Sequence, residues 1–356
     1  MSNVVYFPIL KWKAGERDAL KELNSNPTKM IPVIELACDD DDDIPNPKDF
    51  FSSVAKCYNG PFYFDTIQCD DSQRELLKSY VKYAANIKTA AWPMLYSQDI
   101  TTTLPLIQDK IARFALDVSV PEGFEAGSTT NSLTHIKGLT QKIKIDLFFD
   151  ANLVLENSQA RIVLFAYRQL LLENVDLLSE FNKLIICLSS FPKDLLKGQP
   201  GETVHYTRYD ILTFEYLYKH CPQKLKSLLS YADYGVSKFT DTQLEPYMFP
   251  RILPKIKYTT YKDYVVYKGV KDRVTKETTY SHIDMAKVLI KTPEYQQFGK
   301  DFSFGDLKIF EKASISNIGP GNNRQWVTYC VNHHIAVLLE QLSNPDDVLM
   351  QNAQNH

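Results

Sequence analysis

The sequence is poor in the motifs that mark common chemistries. Its six cysteines (Cys38, Cys57, Cys69, Cys187, Cys221 and Cys330) contain no CxxC pair and no regular spacing. That excludes a zinc knot and a disulfide framework and leaves reduced thiols, as in a cytoplasmic protein. No GxGxxG follows the first apolar run, so no nucleotide-cofactor motif of the dinucleotide-binding kind is present. The loop IGPGNNR (318–324) precedes a helical stretch whose amides could receive an anion, but it lacks the GK[ST] of a phosphate-binding loop. GxSxG, SxxK and the kinase signature set are missing as well. No apolar run approaches the length of a membrane helix. The opening MSNVVYFPILKWKAGE has neither a basic start nor the long apolar stretch of a signal peptide. The expectation is a soluble, cytoplasmic protein with no membrane partner.

Charge of one sign is missing overall, with a formal net of −3, and this discriminates little between partners. The distribution says more. Residues 251–300 carry eleven Lys/Arg against five Asp/Glu, which suggests a face for an anionic partner such as a nucleic acid or nucleotide. The run CDDDDD (38–43) is the opposite extreme. Its like charges repel, and it lacks the alternating ligands and central glycine of a calcium loop, so it reads as a solvated loop.

What the sequence does have is repetition. Eight short apolar runs recur: VVYFPIL (4–10), MIPVIEL (30–36), PFYFDTI (61–67), TAAWPML (89–95), RFALDVSV (113–120), KIDLFFDA (144–151), KLIICLSS (183–190) and LLSYADYGV (228–236). Near-continuous apolar runs suit strands buried on both faces. Amphipathic stretches of helical length lie between them, such as SQRELLKSYVKYAAN with Leu76, Leu77, Tyr80, Val81 and Ala84 on one face. This alternation predicts an α/β fold, a (β/α)8 TIM-barrel-like domain over residues 1–239. Residues 240–345 read as a small α+β extension packed on the barrel, and 346–356 as a flexible tail. Within the extension, KYTTYKDYVVYKG reads as one strand ending at Gly269. YSHIDMAKVLIKT reads as a helix with a Ser281/Asp284 capping box, and FSFGDLKIFEKASIS as strand-like around a Gly-Asp turn. The stretch NNRQWVTYCVNHHIAVLLEQL reads as a last helix.

In such a barrel, function sits where the strands end. Those ends carry Lys11 and Lys13, then Glu35, Asp65, Asp117, Asp150 and Asp233. Glu35, Asp65, Asp117, Asp150 and Asp233 form a candidate ring of metal ligands for Mg²⁺ or Mn²⁺. Lys11 would stabilise charge on a transferring phosphate, and Lys13 would help hold substrate. Strand-end carboxylates also cap helices and bond to loop amides. A one-residue slip in register would turn any of them from the barrel interior to the helix side. Asp146 and Asp150 share parity and must face together.

Two adjacent histidines, His333 and His334, lie in the last helix. Neighbours on a helix point about 100° apart, so they do not form a two-histidine metal site, which needs i, i+4 spacing. One of them, near Asp306, is a candidate general acid. The segment KYTTYKDYVVYKGVKDR interleaves tyrosines with basic residues, so Tyr258, Lys262 and Arg273, with Arg324 and Trp326, are candidate substrate contacts.

The two ends of the chain carry a resemblance. YFPILKWKAGERDAL followed by IPVIEL, and FSFGDLKIFE followed by GPGNNRQWVTYCVNHHI, resemble the bacterial and phage beta protein family. Its first strand carries P-x-L-K-x-K-x-G-E. Its C-terminal end carries a Ser-x-Gly-Asp turn and a Trp…Asn-His-His helix. The resemblance implies a cytosolic protein of a phage or of a bacterial mobile or defence locus, and it implies no particular reaction. Two functions of different class follow. One is metal-assisted phosphodiester hydrolysis at the strand ends, by a nuclease or phosphodiesterase. The other is a non-catalytic recognition or adaptor protein that senses a phage component or scaffolds a protein partner from the same locus. A sensor of a small anionic or sugar ligand is a third.

Overall fold

A strand buried on both faces needs apolar residues at most positions, and each of the eight runs supplies them. In the computed structural model all eight are strands. The structure describes residues 4–23, 28–36, 45–66, 75–118, 133–134, 136–192, 199–236, 253–272, 274–316 and 318–343. The strands in chain order are β1 (Tyr6–Lys11), β2 (Val33–Glu35), β3 (Phe62–Asp65), β4 (Ala91–Tyr96), β5 (Arg113–Asp117), β6 (Lys144–Leu153), β7 (Lys183–Ser189), β8 (Thr203–Thr207) and β9 (Leu229–Asp233). All but β8 close into one parallel barrel, β1-β2-β3-β4-β5-β6-β7-β9 with β9 returning to β1. The fold is therefore the (β/α)8 barrel that the alternation predicts.

Helices surround it: α1 (Ala14–Lys21), α2 (Pro47–Ala55), α3 (Glu75–Ala84), α4 (Asn157–Glu173) and α5 (Tyr209–His220). Strand parity divides the core in two. Phe7, Ile9, Val33, Tyr63, Met94, Ala115, Phe148, Ile185, Cys187 and Ala232 fill the barrel, while their neighbours in sequence pack outward against the helices. Among the described residues no helix is long and apolar enough to cross a membrane.

The N-terminal end of the barrel is closed by a polar plug. Asp146 accepts from the Tyr63 hydroxyl, the Arg113 guanidinium (Nε at 2.8 Å) and the Asn182 amide, and is wholly buried. Arg113 also lies over the Trp92 ring, 4.4 Å from its centroid. Phe7, Tyr63 and Phe148 stack above this plug, Phe7 and Phe148 edge-on at 5.6 Å. Beyond the plug and the aromatic layer, the polar strand-end residues lie at the opposite, C-terminal end of the barrel, its mouth.

The main elements after the barrel are β10 (Lys255–Thr259), β11 (Asp263–Lys268), α6 (His282–Leu289), α7 (Phe304–Ser314) and α8 (Asn323–Ser343). Three expectations change here. KYTTYKDYVVYKG is two strands, not one, because the Thr260 hydroxyl accepts from the amides of Lys262 and Asp263 and turns the chain back. FSFGDLKIFEKASIS is helical, because Ser303 caps the Asp306 amide at 3.1 Å. β8, unrecognised in the sequence, lies between β7 and α5 and pairs antiparallel with β11, in a sheet of order β10-β11-β8. Its five residues are half exposed in alternation, too short a pattern to separate from the amphipathic helix after it. The Ser281/Asp284 capping box of α6 is present.

Helix α8 docks on the barrel through α1. A Cβ at Gly15 would stand 2.6 Å from Val327, and one at Gly305 would stand 2.1 Å from the Tyr329 carbonyl oxygen, so both glycines permit close approach. Asn332 bridges the two contacts, accepting from the Gly305 amide at 3.0 Å and donating to the carbonyls of Ala19 and Glu22.

Candidate functional site: the barrel mouth

Register builds the mouth. Lys11 of β1, Glu35 of β2 and Asp65 of β3 are successive partners in one row across three strands. Tyr96 of β4 and Asp117 of β5 are partners in the next two. Asp150 of β6 pairs with Cys187 of β7, and Cys187 with Ala232 of β9. Neighbouring strands lie about 4.8 Å apart, so charges in a row stand side by side. All of these residues have the parity of the barrel interior, and Lys11, Glu35, Asp65, Asp117 and Asp150 are buried. The structure thus brings together the lysine and four of the five expected carboxylates.

Two tyrosines that sequence reasoning missed organise the carboxylates. Tyr96 donates to Asp65 Oδ2 at 2.6 Å, and Tyr234 donates to Asp150 Oδ2. Burial, then Asp65, Asp117 and Glu35, push the Tyr96 phenol well above its ordinary range. Burial, then Asp150, Cys187 and Glu35, do the same to Tyr234. Both therefore remain hydrogen-bond donors. The signal was legible: Tyr96 ends its strand, and Tyr234 keeps the parity of Ala232.

Asp150 is set by a local irregularity. Pairing of β6 with β7 shifts register between Asp150 and Leu153, and Asn152 takes a left-handed φ of 58°, which asparagine tolerates. The bulge turns the Asn152 amide onto Asp150 Oδ1 at 2.7 Å. Burial nonetheless raises the Asp150 carboxyl above its ordinary range, against the hydrogen bonds from Tyr234, Asn152 and Cys187 that lower it. The Cys187 thiol is pushed up by burial and then by Asp150 and Asp117. Among the described residues, no three His, Cys, Asp or Glu side chains are grouped so as to hold a metal ion.

Asp233 does not join the ring. It lies one residue off the interior parity and faces outward, accepting from the Tyr6 hydroxyl at 2.7 Å and facing His334 Nε2 at 3.1 Å. Burial alone would raise its carboxyl, but His334, Tyr6 and Arg208 hold it below the ordinary range. His334 Nδ1 meets the Thr259 hydroxyl at 3.0 Å. His333 faces a different carboxylate, with Nδ1 2.8 Å from Asp306 Oδ2 and Nε2 donating to the Thr259 carbonyl at 2.7 Å. Both histidines are buried. They tie α8 to β9, β10 and α7, and neither reaches the carboxylate ring, so the expected general acid lies elsewhere.

The other expected contacts scatter. Tyr258 is buried, stacked on His333 at 4.0 Å and donating to Asp306, which leaves no ring face for a base. Trp326 is buried against His282 at 4.8 Å with its indole N–H on the Pro320 carbonyl. Asp306, in the first turn of α7, anchors Tyr258, His333 and Ser303. Arg324 is exposed and paired in two contacts with Asp18, at 2.7 and 2.9 Å. Lys262 is exposed in the β10–β11 turn. Lys13 is exposed at the N-cap of α1 and, following β1, stands at the mouth end. Arg273, the CDDDDD run and the segment around residue 239 lie outside the described residues.

The sequence also concealed a buried network behind β9. Arg208 donates to the Thr260 carbonyl at 2.8 Å and to Gln341 at 3.1 Å, and lies over the Tyr264 ring. Gln341 donates to Glu215, whose carboxyl burial pushes up to about 7. Nothing local in the sequence marks these contacts, since Arg208 and Gln341 are 133 positions apart.

The family model described as Beta protein matches residues 6–340, almost the whole chain, in agreement with the resemblance at its two ends. A comparison with curated proteins finds no match.

Proposed function

Since the chain belongs to the beta protein family, with its barrel mouth as described, we propose that this mouth is an active centre for phosphodiester chemistry assisted by Mg²⁺ or Mn²⁺. The observation that supports it is the convergence of Glu35, Asp65, Asp117 and Asp150 on one interior rim beside Lys11. Mg²⁺ binds through one or two carboxylates and takes its remaining oxygens from substrate phosphates and water. A rim without a self-sufficient ligand set accords with that mode. In this reading Glu35 and Asp65 hold the ion, and Lys11 stabilises charge on the transferring phosphoryl group. Asp150, the carboxyl that burial keeps protonated to higher pH, protonates the leaving oxygen. The substrate class is nucleic acid or nucleotide, and the setting, taken from the resemblance of the chain ends, is the cytoplasm in phage–host conflict.

The test is hydrolysis of single-stranded DNA, RNA and cyclic dinucleotides with Mn²⁺, alongside calorimetric titration of Mn²⁺ with and without a nonhydrolysable substrate. Turnover that is lost in Glu35→Ala/Asp65→Ala supports the proposal. No turnover, and no Mn²⁺ binding with substrate present, would sink it. A non-catalytic adaptor is the second reading. It is favoured by the engagement of Asp65 and Asp150 with tyrosine hydroxyls, which would make the ring a rigid platform.

A further inference from the structure

A carboxyl group buried without a cation of its own is stable chiefly as the neutral acid, because one hydrogen bond does not offset the burial of its charge. Glu215 of α5 is such a group. It is 2% exposed. Among the described residues, its Oε1 accepts from the Gln341 side-chain amide of α8 at 3.1 Å, and its Oε2 has no hydrogen-bond partner. The cation that acts on it is Arg208, and Arg208 is shared. Its Nε stands 3.8 Å from Asp210 Oδ1, and its Nη1 donates to the Thr260 carbonyl and the Gln341 side-chain oxygen. Two buried carboxyl groups thus face one guanidinium. Asp210 is the better served of the two, since the Tyr264 hydroxyl donates to it at 2.7 Å and the Ile211 amide at 2.8 Å.

Gln341 is the joint. It lies in the last turn of α8, accepts from Arg208, and donates to Glu215 and to the Tyr261 carbonyl at 3.3 Å. One amide thereby fastens the end of α8 to α5 and to the β10–β11 turn. We propose that Glu215 is a proton-operated latch on this end of the helix. As the neutral acid it lets the last turn of α8 stay docked, and on losing its proton it loosens that turn. Burial pushes the Glu215 carboxyl up to about 7, with the Gln341 hydrogen bond and Arg208 acting against burial and Asp210 adding to it. The other titratable groups of the network act on Arg208: Tyr264 and Tyr231, whose phenols burial pushes far up, and Asp233, which faces His334. Lys219, one turn along α5, and Glu340, beside Gln341, are exposed, and Glu340 accepts from the Tyr261 hydroxyl. The sign follows from the raised value. The stability that Glu215 lends to docking is complete below the ordinary carboxylate value of about 4.3 and is lost as pH rises through about 7. The latch therefore works across neutrality. It lies behind β9 rather than at the barrel mouth, so it does not depend on the proposed reaction.

Hydrogen–deuterium exchange of the full chain at pH 6 and pH 8 tests it, with rates divided by the intrinsic exchange rate at each pH. Protection of the amides from Leu338 to Ser343 is expected to fall about tenfold between the two pH values in the wild type. It is expected to stay level in Glu215→Gln, which keeps an acceptor for Gln341 and cannot ionise. That variant separates Glu215 from the two histidines of the same helix. Gln341→Met, which removes the joint and leaves Glu215 in place, is expected to exchange fast at both pH values. Level protection in the wild type overturns the proposal without any variant. So does a fall that persists in Glu215→Gln, or wild-type behaviour in Gln341→Met.

Discussion

The two ends of one barrel treat buried carboxylates in opposite ways. At the closed end, Asp146 has a guanidinium, a phenol and an amide to itself. At the mouth, Glu35, Asp65, Asp117 and Asp150 stand on one rim beside Lys11, with phenols donating to Asp65 and Asp150. The first arrangement balances charge and satisfies its hydrogen bonds, as a structural plug does. The second gathers several carboxyl groups on one buried rim, where burial holds at least Asp150 towards its protonated form. In barrels of this kind the N-terminal face commonly serves stability and the C-terminal face commonly holds the functional residues, and the proposed site lies at the latter.

The largest effect is expected at the plug. Arg113→Met leaves Asp146 buried without its cation and should cost about 3–5 kcal/mol, read from urea unfolding. A cost under about 1 kcal/mol would break the comparison, since the plug would then be no more structural than the rim. A mouth substitution should behave in the opposite sense. Burial raises the folded-state value of Asp150, so the stability it contributes is present at acid pH and is lost as pH rises through that value. Asp150→Asn should therefore be closest to wild type near pH 4 and should gain on it towards pH 8, checked by melting temperature against pH. An equal offset at both pH values would remove the distinction between a titrating mouth and an ion-paired plug. The smallest effect is expected outside both regions. Arg324→Ala deletes an exposed pair with Asp18 and should cost less than about 1 kcal/mol, with mouth chemistry unchanged. A larger loss would mean that the α1–α8 junction supports the barrel through charge rather than through Gly15, Gly305 and Asn332.

Much of this comparison was legible before any coordinates. Near-continuous apolar runs identified all eight barrel strands, and parity placed Asp146 with Asp150 on one face. The rim was half legible: strand-end charges pointed to Lys11 and four carboxylates, while Tyr96 and Tyr234 were passed over because they carry no charge. Asp233 was placed on the wrong side because a single residue of register separates it from Tyr234, and an apolar run buried on both faces contains no marker of which residues point inward. The tyrosine–lysine segment misled for a similar reason. Tyr258 and Tyr264 lie in different strands of a hairpin, and both rings are taken up by the core.

The chain's own pattern of apolar runs and amphipathic intervals determined the barrel, because strand and helix burial are written in residues close together in sequence. Local capping determined α6 in the same way. Only the tertiary structure decided which carboxylates share a rim, which aspartate each histidine meets, and that β8 joins β11. Those outcomes rest on contacts between residues far apart in sequence, such as His334 with Asp233, 101 positions away, and Tyr6 with Asp233, 227 positions away, and strand register, helix docking and barrel closure select them together.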